Sequence, residues 1–115
     1  MHNPSRLPEV FAALADPHRL SIVERLIAEG EKNVGELAAP FAISAPAISR
    51  HIAVLENSGL IERRIERQWR VCRVRPEALA VIEDWVARQR RFWTASFDRL
   101  ERHLENQAQD EGSEP

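Results

Sequence analysis

The chain has 115 residues, 43% of them hydrophobic and 30% charged, with a formal net charge of −2. That length suits one domain with a modest core, and the composition is that of a folded globular protein rather than a disordered one. No apolar run approaches the roughly 20 residues needed to cross a bilayer, no signal-peptide core opens the chain, and the lone cysteine, Cys72, excludes an intrachain disulfide, so a cytoplasmic protein without membrane contact is expected.

Leu7, Val10, Phe11 and Leu14 predict a short first helix that Pro8 opens from its first turn. Asp16–Pro17 then restarts the chain, with an N-cap carboxylate before a proline at the first helical position. The second helix runs through Leu20, Val23, Leu26 and Ile27 to a stop at Gly30. Asn33 and Glu36 are spaced as a capping box for a third helix that buries Leu37 and Phe41 and is cut short by Pro40.

After a tight turn at Ala42–Ile43, Ser44 and Pro46 open a fourth helix whose buried face is Ile48, Ile52 and Leu55. Its outward face carries Ala45, Pro46, Ser49, Arg50 and Ala53, a short, polar and lightly basic surface with nothing bulky enough to hold it off a DNA groove. Two helices joined by so few residues, the second with an exposed polar face, make a helix-turn-helix. Gly59 ends the helix, and two arginine-rich strand patterns follow, Ile61 to Ile65 and Trp69 to Val74, with Glu66, Arg67 and Gln68 as the expected hairpin tip. The helix is thus built to read, and the hairpin is a wing.

The charge distribution matters more than its sum. From Ser44 to Arg75 seven arginines face three glutamates, a net +4 with histidine neutral, whereas Glu101 to Pro115 holds five acids against Arg102 alone. A basic middle and an acidic tail suit a protein that meets phosphate with one surface.

Pro76 opens a long terminal helix that reaches at least Leu104, on the order of 40 Å. Leu79, Val86, Trp93 and Leu100 recur every seven residues, flanked by Ile82, Phe97 and Leu104, and Trp85 and Phe92 add a second apolar stripe. One stripe can pack on the chain's own core; the other needs a partner, most simply its copy in a second chain. Leu79, Ile82, Val86, Trp93, Phe97 and Leu100 are the expected dimerisation residues. The expected organisation is one domain over residues 1–106 and a disordered acidic tail over 107–115.

With these parts in place the chain resembles the ArsR/SmtB family of bacterial winged-helix repressors. The resemblance rests on ALADPHRLSIVERL (Ala13 to Leu26), VGELA (Val34 to Ala38), SAPAISRHIAVLENSGLIERR (Ser44 to Arg64) and the wing from Trp69 to Arg73, and with the terminal helix it covers Leu7 to Leu104. It implies a homodimer whose two reading helices enter successive major grooves of a pseudo-palindromic double-stranded operator. Carried over by position, Ser44, Ala45, Pro46, Ser49 and Arg50 match DNA-facing positions, and His51 matches the family's adjacent histidine, open between phosphate contact and helix packing. In the wing, the family's Gly-Arg tip is replaced by Arg67–Gln68, which leaves Arg64, Arg67, Gln68 and Arg70 as candidate contacts.

The resemblance also implies where metals would bind in sensing members, and the residues do not suit them. The cysteine pair of the arsenic and cadmium type falls at Ala38 and Pro40, and the terminal helix has Asp84 and His103, 19 residues apart, with no second histidine two to four residues away. His2, His18, His51 and His103 lie on separate segments, short of three or four converging ligands. A buried strand cysteine is most often a small hydrophobe, so Cys72 is not expected to sense oxidants. No glycine-rich phosphate loop or nucleophile–base pair suggests an enzyme, and the adjacent acids Glu83 and Asp84 project about 100° apart on a helix.

The expected fold is mainly α with a small β-hairpin, a winged helix-turn-helix with a long C-terminal dimerisation helix. The expected function is a dimeric transcriptional repressor with no cofactor, no metal and no catalytic residue. Two alternatives stand beside it: a metal-, redox- or small-molecule-responsive sensor of the same family, and a protein-interaction dimer that uses this scaffold without reading DNA.

Overall fold

The computed structural model describes residues 6–112. In chain order it holds α1 (Leu7–Leu14), α2 (Pro17–Glu29), β1 (Lys32–Asn33), α3 (Val34–Ala38), α4 (Ala45–Asn57), β2 (Ile61–Glu66), β3 (Trp69–Val74) and α5 (Pro76–Gly112). The mainly helical winged helix-turn-helix expected from the sequence is the fold observed.

Each helix start and stop has a local cause. Asp16 Oδ1 accepts the amides of His18 at 2.8 Å and Arg19 at 3.1 Å, which caps α2. Gly30, at φ 84°, ends α2 by turning the chain through the left-handed region. Asn33 and Glu36 form the reciprocal capping box: Asn33 Oδ1 accepts the Glu36 amide at 2.8 Å, and Glu36 Oε1 accepts the Asn33 amide at 3.0 Å. Helix α4 ends in a Schellman arrangement around Gly59 at φ 84°, where the Gly59 amide bonds Glu56 O at 3.0 Å and the Leu60 amide bonds Leu55 O at 3.1 Å. Arg6 Nη2 donates to Asn57 O at 2.8 Å, satisfying another carbonyl of that helix end.

The sheet differs from the expected hairpin by one strand. Its order is β1-β3-β2, all antiparallel, with Lys32 opposite Cys72 and Asn33 opposite Val71. Two residues carry no alternating pattern, so β1 leaves no trace in the sequence. The hairpin is also tighter than expected: Glu66 pairs with Trp69, which leaves a turn of Arg67 and Gln68 alone. Phe41 lies beyond α3, in the loop after Pro40, because α3 ends at Ala38 and the Phe41 amide closes a turn on Ala38 O at 3.0 Å.

The chain divides into two units between Ile82 and Glu83, where the sequence suggests one domain to residue 106. The first holds the core: Ile22, Leu37, Ile48, Ile52, Leu55, Leu60, Ile61 and Cys72 are fully buried, drawn from three helices, two strands and the α4–β2 turn. The start of α5 belongs here, with Ala78 buried and Ile82 packed on the core edge. The second unit is the rest of α5. At 37 residues the whole helix is about 55 Å long. The helix continues through Gln107–Gly112, past the point where a disordered tail is expected, because no proline and no glycine before Gly112 interrupts it; residues 113–115 lie outside the described residues. Among the described residues, no helix is long and apolar enough to cross a membrane.

Candidate nucleic-acid interface

Helix α4 presents its outer face as the sequence suggests. Ser44 Oγ accepts the Ala47 amide at 3.3 Å, which caps the helix and leaves the hydroxyl proton free to donate elsewhere. Ile48, Ile52 and Leu55, each with 0% exposure, fix the inner face. Ser44, Ala45, Pro46, Ser49 and Arg50 are therefore turned to solvent, and Ala53 is half-buried at the edge of that face. Small residues surround one long planar donor, so Arg50 can reach a phosphate or a guanine edge without a steric shield.

The arginines of the basic segment separate into two sets. Arg63 pairs with Glu56 at 3.1 Å, Arg73 with Glu62 and Arg75 with Glu77 at 3.5 Å. Arg64 is held by Glu31 through Nη1 and Nη2 and by Glu66 at 2.8 Å. That clamp drives the Glu31 carboxyl below its ordinary value and holds Arg64 still more firmly protonated, in both cases through the hydrogen bonds between them. Among the described residues, Arg50, Arg67 and Arg70 form no ion pair, so the uncompensated positive charge of the segment gathers on α4 and at the wing tip. Gln68 is exposed beside them. Arg67 sits at φ 58°, a left-handed conformation that a branched or long side chain seldom adopts.

His51 is placed differently from its neighbour Arg50. It is half-buried at the α2–α4 junction, its Nδ1 3.3 Å from Arg19 Nη1 and its ring stacked on His18 at 5.4 Å. Asp16, His18 and His51, separate in sequence, thus meet in space. The DPHR run contains three of the four participants, but nothing in its spacing points to a histidine 32 residues away.

Residues 14–64 match the family described as a helix-turn-helix domain. The HTH-type transcriptional regulator Rv2034 of Mycobacterium tuberculosis (strain ATCC 25618 / H37Rv) is 37% identical over 100 residues, spanning 87% of this chain and 90% of the relative. The solved structure of the ArsR family transcriptional regulator RHA00566 superposes with a TM-score of 0.73 at 36% identity, covering 81% of this chain and 95% of that one. The chain belongs to the ArsR/SmtB family. A further structural neighbour, at TM-score 0.59 and 26% identity over 76% of this chain and 82% of its own, is the homodimeric winged helix-turn-helix DNA-binding domain Mb0332 of Mycobacterium bovis, a possible ArsR-family regulator.

Within this ArsR/SmtB chain, the Gly-Arg of the usual wing tip maps onto Arg67–Gln68, and Arg67 takes up the left-handed backbone that a glycine would fill without strain. The expected dimerisation residues fall in both units. Ile82 packs on the core of the first, and Leu79 is half-buried there. In the second, Trp93, Phe97 and Leu100 are 57%, 60% and 52% exposed, with Trp93 and Phe97 rings 5.8 Å apart. Val86 is exposed on the same helix.

The residues that stand where the family resemblance places a cysteine pair, Ala38 and Pro40, offer no donor atom, and Asp84 and His103 are both exposed. Among the described residues one group could hold a metal ion: Asp16, His18 and His51 each bring a ligand atom within 4.8 Å of the others. Arg19 contests that place, because its guanidinium already lies on His51 Nδ1, and a fixed positive charge opposes a cation. Cys72 is fully buried in β3, and burial raises its thiol above the ordinary range.

Proposed function

We propose that this protein is a homodimeric, sequence-specific DNA-binding repressor that acts in the cytoplasm without a resident metal or cofactor. The observation that carries the proposal is the outer face of α4, where exposed Ser49 and Arg50 stand among small residues and the unpaired arginines gather there and at the wing tip. Ser44, Ala45, Pro46, Ser49 and Arg50 enter the major groove, and Arg67, Gln68 and Arg70 of the wing meet the flanking backbone. Two such helices need a two-fold partner, and the exposed Trp93, Phe97 and Leu100 supply an apolar seam for one. A dimer seated across a pseudo-palindrome covers promoter DNA that polymerase would otherwise use, which is repression by occlusion.

Footprinting on promoter fragments tests the DNA reading, and a two-fold related protected pair one helical turn apart is the expected result. Sedimentation tests the assembly. The full chain is expected to run as a dimer at micromolar concentration and Trp93→Asp as a monomer, with operator affinity falling in step. Retained dimerisation in Trp93→Asp would remove the α5 seam.

The sensor reading is favoured by one observation only, the convergence of Asp16, His18 and His51. Calorimetric titration with zinc, nickel or cadmium separates the two: a tight site coupled to operator release would make the protein a metal sensor.

A further inference from the structure

We propose that His51 is a positioning residue, which fixes the rotation of the reading helix through a bond to Arg19, and is not itself a phosphate contact. The inference rests on the DNA-binding reading and adds the device that aims Ser49 and Arg50.

The inner face of α4 is entirely aliphatic at Ile48, Ile52 and Leu55. That packing decides which side of the helix faces inward, and a directional bond limits its rotation more tightly than aliphatic contacts do. His51 supplies direction. Arginine can only donate, so in its 3.3 Å contact with Arg19 Nη1 the His51 Nδ1 is the acceptor, which places the ring proton on Nε2; Asp16 Oδ1, the competing partner of that nitrogen, stands farther off at 3.9 Å. Arg19 is itself immobilised. Its Nε donates to Ala13 O at 2.6 Å and its Nη2 to Ala12 O at 3.3 Å, two carbonyls in the last turn of α1. Its backbone amide is tied to Asp16 Oδ1, which also holds the His18 amide. The His18 ring stacks on His51 with 24° between planes and meets the Phe41 ring edge-on at 5.1 Å.

One guanidinium therefore joins α1, α2 and α4 at a single corner, next in sequence to Arg50. Adjacent helical residues point about 100° apart, so holding His51 inward directs Arg50 outward. Losing the bond lets the helix rock on its aliphatic face, which misaims base contacts while leaving the surface charge unchanged. Base contacts depend on aim; attraction to phosphate depends on charge.

Four variants of the full chain test this: His51→Ala, His51→Asn, Arg19→Ala and the double His51→Ala/Arg19→Ala. Asparagine can offer a side-chain oxygen near the place of Nδ1, so it serves as the rescue. Expected for His51→Ala is a loss of about tenfold in operator affinity, with unchanged affinity for random duplex and an unchanged dependence on salt. His51→Asn recovers most of the loss, Arg19→Ala reproduces it, and the double variant is no worse than the single. Nitrogen-15 spectra of the free wild-type protein should show His51 protonated at Nε2 and bare at Nδ1, and His51→Ala should shift the Ser49 and Arg50 amides.

These spectra need no DNA, so a failure of the DNA-binding reading leaves the aiming of α4 measurable by itself. A proton on Nδ1 would overturn the proposal. So would an equal loss on operator and random DNA with the salt slope reduced by about one, which would make His51 a phosphate contact. A lower melting temperature with unchanged operator affinity would reduce the corner to structural support. A cobalt spectrum at stoichiometric metal, lost in His18→Ala, would assign the cluster to a cation instead.

Discussion

Arg64 on β2 and Glu31, just ahead of β1, form a two-pronged ion pair in which Nη1 and Nη2 of the guanidinium each meet one carboxylate oxygen. The pairing ties the middle of the wing to the strand that the sequence does not reveal, and it occupies a charge that the motif alone leaves as a candidate for DNA. Among the described residues, Arg67 and Arg70 of the same hairpin have no such acid. Position in the ladder, rather than residue type, decides which arginine remains available for phosphate.

The salt dependence of operator binding should therefore tell the wing arginines apart. Arg67→Ala is expected to weaken binding to all sequences alike and to lower the slope of log K against log salt by about one. Arg64→Ala should leave that slope unchanged, since its partners already neutralise it. Equal slopes for the two variants would show that the ion pair does not decide the contact.

On α4, Arg50→Ala and Ser49→Ala should each weaken operator binding by roughly 1–3 kcal/mol with the dimer intact. Neither side chain supports the core, so melting temperatures should match the parent chain. Binding isotherms that superpose on wild type for both variants would detach the outer face of α4 from DNA.

Arg67 carries a backbone cost as well as a charge. At φ 58° a non-glycine residue is strained by about 1 kcal/mol or more, and glycine removes the clash at a smaller entropic cost. Arg67→Gly is expected to raise unfolding free energy by up to about 1 kcal/mol while lowering DNA affinity as much as Arg67→Ala does. Urea unfolding of the two variants checks this. A less stable glycine variant would mean that the turn is not strained.

Acid should act through the α2 cap. The Arg19 amide, with help from His18, holds the Asp16 carboxyl below its ordinary value of 3.8. A depressed carboxyl stabilises the folded state fully above its unfolded value, and that contribution is lost as pH falls from there through the lower folded value. Asp16→Asn still caps the helix but has no proton to gain. Below pH 3.8 the parent chain should lose stability more steeply than Asp16→Asn, as read by chemical unfolding at stepped pH. Parallel curves for the two would show that the cap charge makes no contribution.

Much of this molecule is legible in its sequence because its signals are local. Caps at Asp16, Asn33 and Ser44, stops at Gly30 and Gly59, and the spacing of Ile48, Ile52 and Leu55 each depend on neighbours within one or two turns. They place the helix-turn-helix, the wing strands and the outward face of α4 from local signals alone. What the sequence leaves open depends on distance across the fold. The two-residue strand β1 exists because β3 offers it a ladder, the pairing of Arg64 depends on Glu31 33 residues away, and the inward turn of His51 depends on Arg19 32 residues away. A side chain's type and spacing state what it can bond to; only the folded chain decides which partner comes within reach, because hydrogen bonds and ion pairs fade over a few ångströms while the polypeptide between them can take many paths.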